Sequence, residues 1–408
     1  MRILITVEDL RIGGAQTFAL RLAQALFEAG HHVWLYDMYW QYTEHDLVQR
    51  LAPDVKLVQY KPTFDKLDTL LLRTDDWWQR HGYDINLRNK NLCQHLRKVI
   101  NDNKIEVVSS NTFKCDALLA QVLQSFPHIP LIITMHGDYE QFLTFYRQKQ
   151  RYVIPAYLRK LARTLARVNG VAYLSEQNLE AVYLNKRVND PLKLRKIYNG
   201  LEGRTSAEAV NYTRPKLGIT EDALVFGMVA RGVPEKGWKP VIQAYQRLRQ
   251  HTNRPLNLVL VGASPFLTQL SEEYGTDDSL RFLGFVNNPI DCVRSFDVGI
   301  LASSLKESLP NSIAEYLFCG KAVISTDVGE IQQMILTDEG QAAGLLIDFP
   351  AQGLADPDQL YAAMQRYATE PDLLASHQRL ATQAFAKFDM SHCLAAYVGL
   401  YQECIQSM

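Results

Sequence analysis

The chain has 408 residues, 47% of them hydrophobic and 21% charged, with a formal net charge of −1, a profile that suits a soluble globular protein of two or three domains and gives no global bias toward nucleic acid. No run of eighteen apolar residues occurs, so no spanning helix is expected, and the apolar start is cut short by Glu8 and Asp9, too early to read as a signal peptide. Six scattered cysteines with no Cys-x-x-Cys pair suit free thiols in a reducing cytoplasm rather than a disulfide frame or a zinc site.

Residues 2–7 read as a strand, Gly13-Gly14 as the turn into a helix over 15–28 that Gly30 stops, and 32–36 as the next strand. A strand, loop, helix and strand in succession predict a parallel sheet. The loop lacks a full G-x-G-x-x-G, so the dinucleotide fingerprint is not met. Residues 38–90, rich in Tyr, Trp and charge, show no clear period and read as an insertion on the acceptor side. The rhythm resumes with a helix at 92–101, a strand at 106–109, a helix at 115–124 and a strand at 130–134. His136 lies just past that strand, at the edge where parallel sheets bind ligands.

The run RQKQRYVIPAYLRKLARTLAR over 147–167 carries seven cations and no acid, with apolar residues at helical spacing. It reads as a basic amphipathic helix, suited to an anionic membrane surface, to a phosphate-bearing acceptor, or simply to a core helix with a basic outer face. A strand at 170–174, a helix at 176–184 and a strand at 196–198 lead to Asn199-Gly200, and the polar stretch 201–222 suits a linker.

The alternation then restarts, with strands at 224–229, 256–261 and 280–283 and a helix at 240–249. Arg231 and Lys236 share the loop after the first of these, where a guanidinium fork and an ammonium can clamp a diphosphate. Phe285 and Val286 follow the third strand, near where a base is expected, and Phe285 suits the core equally well. An apolar strand at 296–301 precedes ESLPNSIAEYLFCG, in which 311–318 alternates at helical spacing and Pro310 stands where the first helical residue is expected. The free N–H groups of such a helix start form an anion site. Glu307 and Glu315, eight residues apart, look out of place beside it until a nucleotide-sugar is considered. Its phosphates want N–H groups, and its sugar and ribose hydroxyls want carboxylates. Strands at 322–325 and 344–348, a helix at 358–367 and a last helix at 391–405 complete the reading. Asp356-Pro357-Asp358 offers an Asp-x-Asp pair, but its place at a helix start makes it an N-cap rather than a metal site.

ESLPNSIAEYLFCGKAVISTDVG resembles the Glu-x7-Glu signature of the retaining family 4 glycosyltransferases of GT-B fold, the glycosyl transferases group 1. RIGGAQTF is similar to that family's first loop, and Arg231 with Lys236-Gly237 to its Arg-x4-Lys-Gly. The resemblance implies two Rossmann-like doubly wound parallel-sheet domains facing a cleft. It places an N-terminal acceptor-side domain at 1–200, a nucleotide-sugar-binding domain at 201–385, and a helix at 386–408 crossing back to the first domain. It implies that Glu307 binds the donor sugar and Glu315 the ribose hydroxyls. Gly13 and Gly14 would let backbone approach the phosphates, and Arg231 and Lys236 would neutralise the leaving diphosphate. His136 would lie beside the donor sugar. Ser308, Leu309, Asn311 and Ser312 complete the implied donor contacts, the last two through helix N–H groups.

The expected activity is transfer of a sugar from a UDP- or GDP-sugar to an acceptor hydroxyl with retention, in cell-surface polysaccharide, lipopolysaccharide or glycolipid synthesis. Neither a metal ion nor a cofactor beyond the donor is expected, and no carboxylate pair is assigned as nucleophile and acid. The expected partners are the donor and a carbohydrate or lipid-linked acceptor, with peripheral contact to an anionic membrane through residues 147–167 at the inner face of the plasma membrane. A GT-B epimerase and a non-catalytic nucleotide-sugar-binding subunit are the rival readings.

Overall fold

The computed structural model describes residues 1–62, 64–80, 88–137, 154–183, 192–203, 207–275, 277–305 and 307–408. The chain divides into two compact units, Met1–Gly200 with Met390–Met408, and Leu201–Asp389. In the first unit the described elements run β1 (Arg2–Val7), α1 (Gly14–Glu28), β2 (His32–Asp37), α2 (His45–Leu51), β3 (Lys56–Gln59), α3 (Asp65–Arg80), α4 (Asn89–Asp102), β4 (Val107–Ser110), α5 (Phe113–Val122), β5 (Leu131–Met135), α6 (Ile154–Leu165), β6 (Gly170–Tyr173), α7 (Glu180–Tyr183) and β7 (Lys193–Lys196). All seven strands pair in parallel in the order β3-β2-β1-β4-β5-β6-β7.

Period-two alternation along the strands feeds two cores. Leu4, Val108, Leu131 and Ile133 face one, with α4, α5 and α6. Ile3, Ile5, Val107 and Ile132 face the other, with α1 and the chain's final helix, Met390–Gln406. That helix is held by more than apolar contact. Its Tyr397 hydroxyl lies 3.0 Å from Thr134 Oγ1, and its Tyr397 ring packs on Phe18 at 5.7 Å. It spans one residue more at each end than the helix expected over 391–405, and Ala386–Phe388 before it forms a 3-10 turn of the second unit.

The stretch 38–90 is where the structure departs most from the sequence reading. It holds α2, β3 and α3 among its described residues. Helix α3 hid its period by burying acids: Asp68 and Asp75 point inward, and Asp68 accepts from a buried Arg88 Nε at 2.8 Å. The strand expected at 196–198 is instead Lys193–Lys196, a sheet edge whose residues alternate half-buried and exposed. The helix expected over 176–184 begins as a 3-10 turn, Glu176–Leu179, before α7, and Leu184 lies outside the described residues.

The second unit runs β8 (Leu224–Val229), α8 (Trp238–Gln250), β9 (Leu256–Val261), α9 (Pro265–Tyr274), β10 (Leu280–Gly284), α10 (Pro289–Val293), β11 (Val298–Leu301), α11 (Asn311–Phe318), β12 (Ala322–Thr326), α12 (Ile331–Ile335), β13 (Gly344–Ile347), α13 (Pro357–Thr369) and α14 (Pro371–Phe385). Its six strands are also parallel, in the order β10-β9-β8-β11-β12-β13. Strands β8, β9 and β12 are buried along their whole length, as strands covered by helices on both faces must be. Phe296 and Asp297 stop short of β11 because Asp297 is spent on the start of β8: its Oδ2 accepts from Val225 N at 2.8 Å. In each unit the strand order reverses once, between β1 and β4 and between β8 and β11. At such a reversal the crossovers leave in opposite directions and a crevice opens at the carboxyl ends.

Candidate functional site

In the second unit one side chain holds the reversal open. Tyr316 of α11 is fully buried, and its hydroxyl accepts from Val229 N at 2.8 Å and donates to Ile300 O at 3.1 Å. It therefore ties the last turns of β8 and β11 where they part. Burial drives its phenol pKa upward, so it stays a neutral donor.

Two loops leave those strand ends. The first carries Arg231 and then a single 3-10 turn, Pro234–Lys236, ended by Gly237 at φ 85°. A Cβ at Gly237 would lie 2.2 Å from Ala302 O, so only glycine lets the two loops meet this closely. The meeting point is a salt bridge: Lys236 Nζ donates to Glu307 Oε1, and the two side chains are only 9% and 12% exposed. Ser303 Oγ donates to the same oxygen at 2.7 Å. The backbone beneath is fixed in turn, because Thr326 Oγ1 donates to Ser303 O at 2.8 Å and Ser304 N donates to Glu235 O at 2.7 Å. From the far side, Gly329 at φ 61° presses on Glu307, and a Cβ there would sit 1.6 Å from Glu307 O. Arg231 is different. Its carbonyl is anchored by Trp238 Nε1 at 3.1 Å while its side chain is exposed.

Helix α11 starts one residue later than the sequence suggests. Pro310 occupies the N-cap with ψ 120°, outside the helical range, and Asn311 and Ser312 are the first two helical residues. Their N–H groups are the ones a helix cannot satisfy itself, so the anion-binding end points into the loop that carries Glu307. Ser308 and Leu309 are half-buried on the approach, and Glu315 lies one turn inside, 6% exposed. Past β10, Phe285 is 56% exposed whereas Val286 is buried. The structure thus brings Lys236, Glu307 and the start of α11 to one edge of the second sheet, with Arg231 in the same loop as Lys236.

The first unit has, by itself, a sheet edge of the kind where ligands bind. Gly13, extended at φ −167°, caps α1, and Gly14 is its first residue. A Cβ at Gly13 would meet only the tip of Gln16, so the bare backbone there serves access rather than conformation. Asn111, just past β4, is fully buried, and its N–H donates to Thr6 O at 3.1 Å across the reversal. His136 follows β5. Its Nε2 lies 3.5 Å from Asn111 Oδ1, and its ring meets Phe18 edge-on at 5.4 Å. Burial of the ring, which stays only partly exposed, lowers its pKa to about 4, so the imidazole is neutral at ordinary pH.

Of the basic run, 147–153 lies outside the described residues. In α6, Leu161, Thr164 and Leu165 are buried, and Arg159 and Arg163 are exposed. Arg167 is structural: it donates to the carbonyls of Phe126 and Ile129 at 3.2 and 2.6 Å and to Asn169 Oδ1 at 2.8 Å. Asp356 is an N-cap, accepting from Asp358 N at 2.8 Å. Among the described residues no cluster of three His, Cys, Asp or Glu side chains able to hold a metal occurs. No helix of the described residues is long and apolar enough to cross a membrane. Sequence reasoning missed Ser303 and Tyr316. A serine and a tyrosine in apolar surroundings carry no periodic signal, and nothing local to Gly329 ties it to Glu307.

Comparison with known proteins agrees with this architecture. The model for glycosyl transferases group 1 matches residues 211–379, and that for glycosyltransferase family 4 matches residues 12–202. The chain is 29% identical over 153 residues to the 2-deoxystreptamine glucosyltransferase of Streptomyces kanamyceticus, a match that takes in 33% of this chain and 39% of that protein. Among solved structures it is similar to Anabaena HepE in complex with UDP and glucose, with a TM-score of 0.68 and 18% identity over 100% of both chains. It is also similar to a glycosyltransferase from Rickettsia africae, with a TM-score of 0.72 and 15% identity over 100% of this chain and 99% of that one. At these identities the likeness shows the fold alone. The two family models together span both units, and the chain belongs to the family 4 glycosyltransferases, the glycosyl transferases group 1, with two Rossmann-like units of GT-B fold.

Proposed function

We propose that this glycosyltransferase takes a UDP- or GDP-sugar as donor and passes the sugar to an acceptor hydroxyl with retention. The observation that carries the donor reading is the joining of Lys236, Glu307 and the start of α11 at the strand-order reversal of the second sheet. As the glycosidic bond breaks, charge gathers on the leaving diphosphate. Arg231, the Lys236 ammonium, the Gly13-Gly14 backbone and the N–H groups of Asn311 and Ser312 stabilise it in this reading, and electrostatic stabilisation of that kind takes the part a metal ion plays elsewhere. Glu307, held on one oxygen by Lys236 and Ser303, keeps its other oxygen for a sugar hydroxyl. Glu315 receives the ribose hydroxyls, and Phe285 and Val286 lie toward the base. His136, being neutral, serves as a hydrogen-bonding group toward the sugar rather than as a general acid. Solved structures of this fold that hold UDP, and UDP with glucose, support the donor class.

The acceptor in this reading is a carbohydrate or lipid-linked glycan of surface-polysaccharide, lipopolysaccharide or glycolipid synthesis. The exposed Arg159 and Arg163 support peripheral contact of segment 147–167 with an anionic membrane. Thermal-shift and calorimetric screening against nucleoside diphosphates and their sugars tests the donor assignment. A UDP- or GDP-sugar should bind and, without acceptor, slowly release free nucleoside diphosphate. Failure of every nucleoside diphosphate to bind overturns it. Release of an altered free sugar with no transfer to any acceptor points instead to an epimerase.

A further inference from the structure

Helix α3 buries acids and exposes apolar residues. Its inward face carries Asp68 and Asp75, 3% and 2% exposed, beside Leu72, which packs on the core. Both aspartates engage Arg88, itself 1% exposed: Arg88 Nε donates to the two Asp68 oxygens at 2.8 and 2.9 Å, and Arg88 N donates to Asp75 Oδ2 at 3.1 Å. Gln41 Nε2 adds a third donor to Asp68 at 3.1 Å. The outward stripe is apolar, with Phe64, Leu67, Leu70 and Trp77 exposed by 71, 52, 57 and 52%. Residues 67, 70 and 77 repeat at helical spacing, and Phe64 sits at the helix start, its carbonyl accepting from Leu67 N and Asp68 N at 3.1 Å. An amphipathic helix free to roll turns its leucines inward. Here a buried ion pair with fixed geometry holds the opposite rotation, so the apolar stripe is presented by construction.

The chemistry and size of the stripe point to what covers it. The exposed, described charged side chains of α3 are Lys66 and Arg73, both basic and both on the border of the stripe. The sequence of α3 also holds Asp65 and Asp76, but the stripe itself is Leu, Phe and Trp with Lys66 and Arg73 at its border, which suits a helix lying in a lipid headgroup layer, where indole rings and long basic side chains sit at the interface. A second protein copy fits poorly. The four side chains offer roughly 400–500 Å², against about 800 Å² per partner in a stable protein interface. We propose that α3 docks on an anionic lipid bilayer, with Phe64, Leu67, Leu70 and Trp77 entering the acyl boundary and Lys66 and Arg73 meeting the headgroups. This contact is distinct from the basic segment 147–167 and does not depend on the donor assignment.

The test uses the full chain with vesicles of phosphatidylcholine alone or mixed with phosphatidylglycerol. Sedimentation measures binding, and quenching by brominated-chain lipids reports on Trp77, the most exposed described indole. The wild type should bind the anionic vesicles several-fold better and show quenching. Leu67→Glu/Leu70→Glu, which leaves Trp77 and segment 147–167 intact, should lower binding about tenfold or more. Lys66→Gln/Arg73→Gln should lower binding several-fold on anionic vesicles only. Both pairs are exposed, so melting temperatures should match the wild type; Leu67→Gln/Leu70→Gln replaces any variant that melts early. Unchanged binding in the leucine variant, absence of Trp77 quenching, or a concentration-dependent dimer removed by that variant in place of vesicle binding overturns the proposal. Nucleotide binding measured on the same preparations is unaffected by either result, which separates a failure here from a failure of the donor reading.

Discussion

The Lys236 ammonium and the Glu307 carboxylate meet across two loops that share no strand, 71 residues apart in sequence, and they meet nearly out of water. A buried pair of this kind is weak evidence for stability, since burying two charges costs about as much as their attraction returns. Its value lies in specification. With Ser303 on the same Glu307 oxygen, the carboxylate has one orientation, and the ammonium is fixed against the loop that leads into α11 before any ligand arrives.

Removing one partner strands the other. Lys236→Met should cost about 3–5 kcal/mol of stability, because Glu307 is left charged and buried. Adding Glu307→Gln should recover much of that loss in a denaturant melt while leaving transferase activity abolished. A single variant that melts with the wild type would show that the pair does not exist in solution.

Arg231 gives the contrasting case. Its guanidinium is exposed and only its carbonyl is anchored, so Arg231→Ala should change stability by about 0.5 kcal/mol or less. If the guanidinium meets the leaving diphosphate, turnover should fall by about a hundredfold or more. Steady-state kinetics on a UDP- or GDP-sugar checks this, and near-normal turnover would remove Arg231 from the diphosphate's surroundings.

Gly329→Ala tests how tightly the Glu307 loop is wedged. Alanine at φ 61° is strained by about 1–2 kcal/mol wherever it occurs. Here its Cβ would also sit 1.6 Å from Glu307 O, which must move. Gly340, at φ 79° with nothing near its missing Cβ, isolates the first effect from the second. Gly340→Ala should lose only the strain energy and keep full activity. Gly329→Ala should lose more stability and most activity, read from melts and initial rates on the two variants side by side.

The sheets were the most legible part of the chain. Strands such as β8, β9 and β12 are buried on both faces and announce themselves as mostly apolar runs, broken only by a residue such as Asn257 or Ser325. The loops after β8 and β11 were legible too, because Arg231, Lys236, Glu307 and Pro310 are unusual residues at strand ends. Legibility failed where polarity and burial part company. Helix α3 turns Asp68 and Asp75 inward and Leu67 and Leu70 outward, so its pattern reads as noise until Arg88 is seen to neutralise it. It failed again for long-range polar contacts. Nothing local in Ser303, Thr326 or Tyr316 says which carbonyl or carboxylate each will reach, and that choice is made by the sheet order.

The pH dependence of stability should carry a signature of His136. Its pKa in the folded protein, about 4, lies below the 6.5 of an unhindered imidazole because burial disfavours the cation. The unfolded chain therefore takes up the proton first. Stability is fully present above about pH 6.5, falls as pH drops toward 4, and levels off below that, with a total loss of at most about 3 kcal/mol from this residue. Other histidines, His31, His95 and His377, are lowered by burial as well, so the wild-type slope sums several groups. The readout is the difference between wild type and His136→Gln in denaturant melts from about pH 7 to about pH 4, where the variant should show the shallower decline. The same neutrality predicts that turnover shows no inflection near pH 6.5 belonging to His136. A wild-type inflection there that vanishes in His136→Gln would mean the ring takes a proton during the reaction, and its place in the site would have to be that of an acid or base rather than a neutral hydrogen-bonding group.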